Sequence, residues 1–213
     1  MPTVTGIVLA GGKSLRLGRE KALERINQQS LIERTIDCIS PVSQAILVVT
    51  SQEQFSLIAG ARLKGRVIVD LYSGKGALGA VYTGLASADT LHSLVVGCDM
   101  PFLNRALLRH LVDLAPDFDV VVPKIDDMTE PLHAVYSKRC LASIEPLLHQ
   151  DRLAISQVFS LVKTRYVGED EIAEFDPEHL SFFNINTQGD LAKAKTLIKQ
   201  REQSPVVGKG KFW

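Results

Sequence analysis

The sequence predicts an α/β fold, in which a mainly parallel sheet is covered by helices on both faces. Short apolar, β-branched runs recur along the chain, and segments with apolar residues at helical spacing separate them. The chain has 213 residues, 46% of them hydrophobic, which suits one domain with a substantial core. We expect this domain to cover residues 1–200 and a flexible tail, rich in glycine, proline and lysine, to follow at 201–213.

Predicted strands and helices alternate over the first 123 residues. Asn104 is expected to cap the fourth helix, because its side-chain oxygen can accept hydrogen bonds from the first free N–H groups. The predicted strands are 6–10, 45–50, 67–70, 93–97 and 119–123, and the predicted helices are 31–39, 52–58, 78–88 and 104–114.

The pattern is looser from about residue 124. It predicts strands at 133–136, 164–168 and 182–185, and helices at 139–149, 155–160 and 187–200. Together with the first half, these elements predict a mixed sheet whose late strands face a substrate.

Charge and cysteine content exclude several classes of protein. Lysine plus arginine and aspartate plus glutamate each total 24, so there is no positive excess of the kind that binds nucleic acid. The three cysteines show no Cys-x-x-Cys spacing, which favours free thiols in the cytoplasm. No charge-free apolar run approaches the roughly 20 residues that span a bilayer, so membrane insertion is not expected.

The segment 9–21 is the most informative stretch of the chain. Gly11 and Gly12 follow the first predicted strand, and four basic residues against one acidic residue lie in 13–21. Glycines let successive amide N–H groups approach phosphate oxygens, and the cations offset phosphate charge. This indicates a nucleotide site, although an ordinary strand-to-helix turn with solvated cations is the alternative.

Two better-known phosphate loops do not fit this segment. The P-loop needs a glycine five residues before Gly12, where Ile7 stands. The dinucleotide pattern Gly-x-Gly-x-x-Gly occurs at 74–79, but it follows a later strand than the first. An NAD(P)-dependent oxidoreductase is therefore a remote alternative.

Acidic residues follow two predicted strands. Asp99 comes after a very apolar strand, and Asp70 ends another. In open α/β sheets ligands bind at the carboxyl ends of strands, and Mg²⁺ takes one or two carboxylates together with substrate phosphates. Asp99 is the predicted metal ligand, with a turn or helix cap as its alternative, and Asp70 serves equally well as a turn residue.

No convincing nucleophile or zinc site accompanies these acids. The sequence offers no persuasive Ser-His-Asp set, no pair of carboxylates suited to glycoside hydrolysis and no cluster of His or Cys. An acceptor that is a phosphate monoester needs no protein base, because its second pKa is near 6. Positioning and charge neutralisation then suffice, and nucleotidyl transfer meets this description.

Six short motifs in one order resemble the molybdenum cofactor guanylyltransferases, within the wider group of NTP transferases. The resemblance extends from residue 6 to about 194 and implies a three-layer, Rossmann-like nucleotidyltransferase fold. The motifs are 9–21 (LAGGKSLRLGREK), Asp70, 76–80 (GALGA), 97–101 (GCDMP), 130–136 (EPLHAVY) and 183–187 (FNINT).

The resemblance implies transfer of GMP from GTP to the terminal phosphate of molybdopterin, with release of pyrophosphate. It implies Mg²⁺, or Mn²⁺ in its place, a GTP- and metal-binding half at 1–100 and an acceptor half at 101–200. Other proteins of cofactor biosynthesis or molybdoenzyme maturation are possible partners. The alternatives are a related enzyme that uses CTP or another phosphomonoester, the oxidoreductase above, and a nucleotide-binding regulator without catalysis.

The resemblance also assigns roles to residues. Lys21, Arg16 and Asp99 are catalytic: Lys21 binds the phosphates, Arg16 assists the departing pyrophosphate, and Asp99 holds the metal and the nucleotide. Asn184 and Asn186 face the pterin, with a turn and helix cap before Thr187 as the alternative. The expected nucleotide-binding residues are Leu9, Ala10, Gly11, Gly12, Lys13, Ser14, Lys21, Asp70, Gly76, Leu78, Gly79 and Asp99.

Some positions depart from the family's pattern. Glu20 stands where aspartate is usual, Leu17 where methionine is usual, and Ala77 where proline is common, which weakens the assignment of the base contact. Related cytidylyltransferases carry alanine at the position of Gly11, so this glycine favours guanine over cytosine.

Overall fold

The structure, a computed structural model, describes residues 3–11 and 21–203. The strands are β1 (Val4–Leu9), β2 (Arg25–Ile26), β3 (Gln29–Ser30), β4 (Ala45–Thr50), β5 (Arg66–Val69), β6 (His92–Gly97), β7 (Val120–Ile125), β8 (Met128–Thr129), β9 (His133–Ser137) and β10 (Thr164–Val167). The helices are α1 (Leu31–Ile39), α2 (Gln52–Gly60), α3 (Gly76–Ser87), α4 (Arg105–Leu114), α5 (Leu141–His149), α6 (Ser156–Phe159), α7 (Glu169–Ala173) and α8 (Gln188–Gln203).

The central sheet has the order β10-β7-β9-β6-β1-β4-β5, and β8 forms a short hairpin with the end of β7. Strands β1, β4, β5 and β6 pair in parallel. Strand β9 is antiparallel to both β6 and β7, so β7 again runs in the direction of β6. The prediction of a mainly parallel, mixed sheet is confirmed.

Helices cover both faces of this sheet. Successive residues of β1 point to opposite faces, so that Val8 joins one apolar cluster and Ile7 the other. The first cluster includes Ile36 of α1 and Leu111 of α4, and the second includes Leu85 of α3. Two separate cores on the faces of one sheet confirm the three-layer α/β architecture.

The cap predicted for the fourth helix is present. The side-chain oxygen of Asn104 accepts hydrogen bonds from the N–H groups of Ala106 at 2.9 Å and Leu107 at 3.1 Å. These bonds satisfy donors that have no partner inside the helix.

A third apolar cluster brings α8 to the sheet edge. Ile198 and Leu191 of α8 pack with Ile26 of the β2–β3 hairpin and with Phe102. Through these contacts the amino end of the last helix lies beside the segment that follows β6. The helix continues to Gln203, beyond the predicted start of the tail, and residues 204–213 lie outside the described part of the chain.

The predicted strand at 182–185 is wrong. Residues 180–182 form a turn of 3-10 helix, and no strand follows before α8. The backbone of this segment donates a hydrogen bond just beyond β6, from Ile185 N–H to the carbonyl of Asp99 at 2.9 Å. Strand β6 is already paired with β1 and β9, so no free edge remains there for another strand.

All three cysteines lie in the described part of the chain, and Cys38, Cys98 and Cys140 are buried free thiols. Within residues 3–11 and 21–203, none of the helices combines the length and the apolar character needed to span a bilayer.

His133 is a buried polar residue of β9. It has no solvent exposure, and neither ring nitrogen has a hydrogen-bond partner among the described residues. Its ring lies against Phe182, with 4.8 Å between the ring centroids. Burial lowers the pKa of His133 to about 3, so the folded protein holds this ring neutral.

We expect His133 to make the protein less stable in mild acid. As the pH falls from about 6.5 towards 4, the unfolded chain protonates this side chain and the folded chain does not. The free energy of unfolding then falls by up to roughly 1.4 kcal/mol per pH unit. Urea unfolding at several pH values should give a flatter dependence for His133→Leu than for the unmodified protein.

The comparison between the two proteins removes contributions from other groups. Burial raises the pKa of Glu130, so protonation of this group in acid stabilises the folded protein, opposite to the effect of His133. This contribution is present in His133→Leu and in the unmodified protein alike. Parallel pH curves for His133→Leu and the unmodified chain would contradict the prediction.

Candidate active site

The candidate site lies where the parallel strands end. Because β1, β4, β5 and β6 point the same way, the residues that follow them share one edge of the sheet. Gly11, Asp70 and Asp99 all lie at this edge, as the sequence predicts.

Lys21 joins three distant parts of the chain. Its Nζ donates to Oδ2 of Asp99 at 2.7 Å and to Oδ1 of Asn186 at 2.9 Å. The side chains of Lys21 and Asp99 are 15% and 25% exposed, so the ion pair is partly shielded but open to a ligand. A cation, an acid and an amide thus meet at the end of β6.

The backbone around β6 explains the position of Asp99. The N–H of Gly97 donates to Leu132 at 3.0 Å, and that of Cys98 donates to Leu9 at 3.2 Å, so the chain is hydrogen bonded up to the residue before the acid. A Cβ at Gly97 would lie only 2.6 Å from Oδ1 of Asp99. Glycine at this position therefore lets the carboxylate fold back over the end of the strand.

Asn186 is placed by the segment that leads into α8. The adjacent Ile185 is tied to the backbone of Asp99, and Asp190 Oδ2 accepts from Asn186 N–H at 3.0 Å and from Thr187 N–H at 2.8 Å. The turn and helix cap predicted as the alternative are therefore present, and Asn186 also contacts Lys21 and, through it, Asp99.

Asn184 has a different environment. Its Nδ2 donates to the carbonyl of Phe182 at 3.0 Å, a contact within its own turn. The described contacts do not join it to Lys21 or Asp99.

Asp70 is held by α3. Its Oδ1 accepts from Thr83 Oγ1 at 2.7 Å and from the N–H of Tyr72 at 3.0 Å, and Thr83 Oγ1 accepts from the N–H of Leu71 at 3.0 Å. The order β6-β1-β4-β5 separates Asp99 from Asp70 by three strand spacings, roughly 14 Å. The two carboxylates share an edge without converging, so only an extended ligand can reach both.

The glycine-rich stretch 74–79 forms the start of α3. Gly76 has φ +61°, a conformation that favours glycine, and it is exposed. Leu78 is completely buried in the core, so its side chain is not exposed to a nucleotide. Gly79 is also buried, and a Cβ there would lie 2.9 Å from the Tyr72 carbonyl oxygen.

An ion pair fastens the same stretch to the second half of the chain. Lys75 Nζ contacts Asp151, which follows α5. The Gly-x-Gly-x-x-Gly spacing thus lies after β5, whereas the dinucleotide fingerprint belongs to the first strand-to-helix turn.

Two backbone groups that precede the first turn are used within the sheet. Leu9 accepts from Cys98, and the N–H of Ala10 donates to Val49 at 2.9 Å, so these groups belong to the sheet. Gly11 is exposed and is the first residue whose surroundings are open. Gly12, Lys13, Ser14 and Arg16 lie outside the described residues.

Asp99 is the described acid best placed for a metal. Residues 3–11 and 21–203 contain no group of three or more His, Cys, Asp or Glu side chains that would form a closed metal cage. A single partly exposed carboxylate at a strand end fits Mg²⁺, which completes its shell with phosphate oxygens and water.

Sequence reasoning missed two residues that support this site. Thr187 and Asp190 have the spacing of a capping box, which could have revealed Asp190. Thr83 carries no such signal, because only the packing of α3 on the sheet brings its hydroxyl to Asp70.

Residues 6–164 match the model of the MobA-like NTP transferase domain. The chain is 35% identical over 206 residues to the probable molybdenum cofactor guanylyltransferase of Pelotomaculum thermopropionicum, covering 97% of this chain and 98% of that one. It is 37% identical over 201 residues to the molybdenum cofactor guanylyltransferase of Desulfosudis oleivorans, with 93% and 98% covered.

A solved structure is similar as well. The crystal structure of molybdopterin-guanine dinucleotide biosynthesis protein A from Archaeoglobus fulgidus has a TM-score of 0.81 and 28% identity, and the match covers 92% of this chain and 100% of that one. The domain match spans more than half of the sequence, and the relatives match along nearly their whole length. The chain therefore belongs to the MobA-like NTP transferase family.

Proposed function

We propose that this chain transfers GMP from GTP to the terminal phosphate of the molybdenum-molybdopterin cofactor. Pyrophosphate leaves and molybdopterin guanine dinucleotide forms. The observation that carries the proposal is the contact of Lys21 with both Asp99 and Asn186. It joins the predicted nucleotide half to the predicted acceptor half in a chain whose relatives are named as guanylyltransferases.

In this proposal the nucleotide lies along the sheet edge. The ammonium of Lys21 binds the triphosphate, while Gly11, which lies beside Thr50 at the end of β4, Asp70 and the start of α3 lie towards the ribose and base. The separation between the ends of β5 and β6 supports this placement, since a nucleotide is long enough to contact both. Roles for Gly12, Lys13, Ser14 and Arg16 rest on the family resemblance alone.

Asp99 would hold Mg²⁺, or Mn²⁺ in its place. When bound, the ion neutralises charge on the triphosphate. Asn186 and, from the resemblance, Asn184 would bind the pterin side of the acceptor.

The protein's own part in the reaction is to position the two substrates and to neutralise the charge of their phosphates. An oxygen of the acceptor phosphate forms a bond to the α-phosphorus of GTP, and the bond from that phosphorus to the bridging oxygen breaks, so that pyrophosphate leaves with the electron pair. The acceptor is an anion near neutral pH and needs no side chain to remove a proton. Lys21, between Asp99 and Asn186, is placed to bind phosphate oxygens where both substrates meet.

A cytoplasmic location stays a prediction, as do contacts with other proteins of cofactor biosynthesis or molybdoenzyme maturation. The oxidoreductase alternative gains no support, because its glycines lie after β5.

Replacement of Asp99 tests the core of the proposal. We expect Asp99→Ala to lower Mg²⁺-dependent formation of the dinucleotide by about 10³-fold, because one carboxylate holds both the ion and Lys21 in place. Release of pyrophosphate from GTP in the presence of molybdopterin measures this. Asp37→Ala is the matched control, since Asp37 is an exposed acid paired with Lys64 at 3.0 Å. Near-normal turnover in Asp99→Ala would refute the assignment.

The ion pair also predicts that the Lys21 ammonium and a divalent ion compete for the Asp99 carboxylate. The Lys21 ammonium occupies Oδ2, so we expect Lys21→Met to bind Mn²⁺ without nucleotide about fivefold more tightly than the unmodified protein. The same variant should bind GTP more weakly, because a phosphate-binding cation is lost. Paramagnetic resonance of free Mn²⁺ and equilibrium dialysis with GTP give the two affinities. Unchanged affinities for Mn²⁺ and for GTP would show that Lys21 is not part of the binding site.

Gly11 provides a test of base choice. A Cβ there would lie 3.5 Å from the nearest atom, Ser51 N, which is an ordinary contact, so the described structure does not require glycine. We expect Gly11→Ala to lower the kcat/KM ratio of GTP over CTP by about tenfold, as one methyl group in a pocket can do.

Gly60→Ala is the control for this variant. Gly60 ends α2, and a Cβ there would meet nothing within 4 Å. Both variants should unfold near the temperature of the unmodified protein, and only Gly11→Ala should change the base preference. An unchanged ratio would show that the base is selected elsewhere.

A further inference from the structure

We propose that Asp190 is a positioning residue for the transfer reaction: its carboxylate fixes the backbone of Asn186 so that the Asn186 amide meets Lys21 and Asp99. The inference deepens the proposed function and rests on it, since it takes Asn186 to be part of the acceptor site. Asp190 itself makes no described contact with Lys21 or Asp99, so it acts through Asn186.

One carboxylate oxygen of Asp190 accepts hydrogen bonds from three donors. Its Oδ2 accepts from the N–H of Asn186 at 3.0 Å, from the N–H of Thr187 at 2.8 Å and from Thr187 Oγ1 at 2.9 Å. In return, the N–H of Asp190 donates to Thr187 Oγ1 at 3.1 Å. The hydrogen bond from the backbone of Asn186, followed by that from Thr187, lowers the pKa of Asp190, which favours the ionised acceptor.

The same segment is held from the other side. Ile185 N–H donates to the carbonyl of Asp99, and the Asn186 side chain accepts from Lys21 at 2.9 Å. Because residues 183–187 belong to no strand, the position of the amide depends on these hydrogen bonds and on the burial of Ile185 in the apolar cluster with α8. Asp190 holds the backbone of Asn186 from the side of α8, by accepting a hydrogen bond from its N–H. Without Asp190, the Asn186 backbone is held only through the contacts of the adjacent residues.

An ordinary helix cap explains only part of this arrangement. Helix α1 has a reciprocal cap of the same kind, in which Glu33 accepts from the backbone and hydroxyl of the cap residue Ser30 at 2.8 and 2.6 Å. Asp190 does this for Thr187 and in addition accepts from the residue before the cap. That extra donor is Asn186, the residue in contact with Lys21.

The test is a double-mutant cycle in the full chain. Asp190→Ala should raise the KM for molybdopterin about tenfold while the dissociation constant for GTP changes less than about twofold, since only the acceptor side loses its support. Asp190→Asn should show a smaller rise, because the amide oxygen still accepts from the backbone but carries no charge. Asn186→Ala and the double variant Asn186→Ala/Asp190→Ala complete the cycle.

If Asp190 acts through Asn186, the double variant matches Asn186→Ala within about twofold. Glu33→Ala removes a comparable cap from α1 and should leave the KM for molybdopterin unchanged. Circular dichroism identifies any variant that fails to fold, and in that case Asp190→Asn replaces Asp190→Ala throughout the cycle.

Two results would overturn the proposal while the proposed function stands: Asp190→Ala behaving like Glu33→Ala, or effects of Asp190→Ala and Asn186→Ala that multiply in the double variant. Either would make Asp190 a helix cap only. An unmodified protein that forms no dinucleotide from GTP and molybdopterin would overturn the proposed function and, with it, this inference.

Discussion

The contact of Lys21 with Asp99 and Asn186 is the interaction on which the proposed chemistry depends. An ammonium group and a carboxylate 2.7 Å apart neutralise each other at the partly shielded end of β6, and the amide oxygen of Asn186 accepts a second hydrogen bond from the cation. A divalent ion would be drawn to the same carboxylate, and phosphates to the same ammonium. The ion pair therefore keeps two ligand-binding groups in place with their charges balanced.

The rest of the fold serves to bring those three side chains together. Asp99 follows the end of strand β6, and Gly97 leaves room for its carboxylate. The apolar packing of α8 against the β2–β3 hairpin holds Asn186 close to this acid. Asp70 lies three strands away and is oriented by Thr83. The result is an elongated edge with an acid at each end, a shape that favours a nucleotide over a compact anion.

Much of the fold could be predicted because its elements have strong local signals. Helix α1 and strand β4 begin and end where the sequence predicts, since each combines a clear apolar pattern with a cap or turn at its ends. The segment 182–185 could not be predicted in the same way. Its aromatic and β-branched residues are typical of a strand, but a strand needs a free neighbour, and β6 has none.

The sequence by itself determined the layered α/β plan and the strand-end position of Asp99 and Asp70, because periodicity and chain order are local properties. The tertiary structure alone decided that Lys21 contacts Asn186, that the amide of Ala10 is used within the sheet and that Leu78 faces the core. These facts depend on which strands are neighbours and on how a helix near the end of the chain packs against its beginning. Lys21 and Asn186 are 165 positions apart and meet through tertiary packing, so no local pattern predicts their contact.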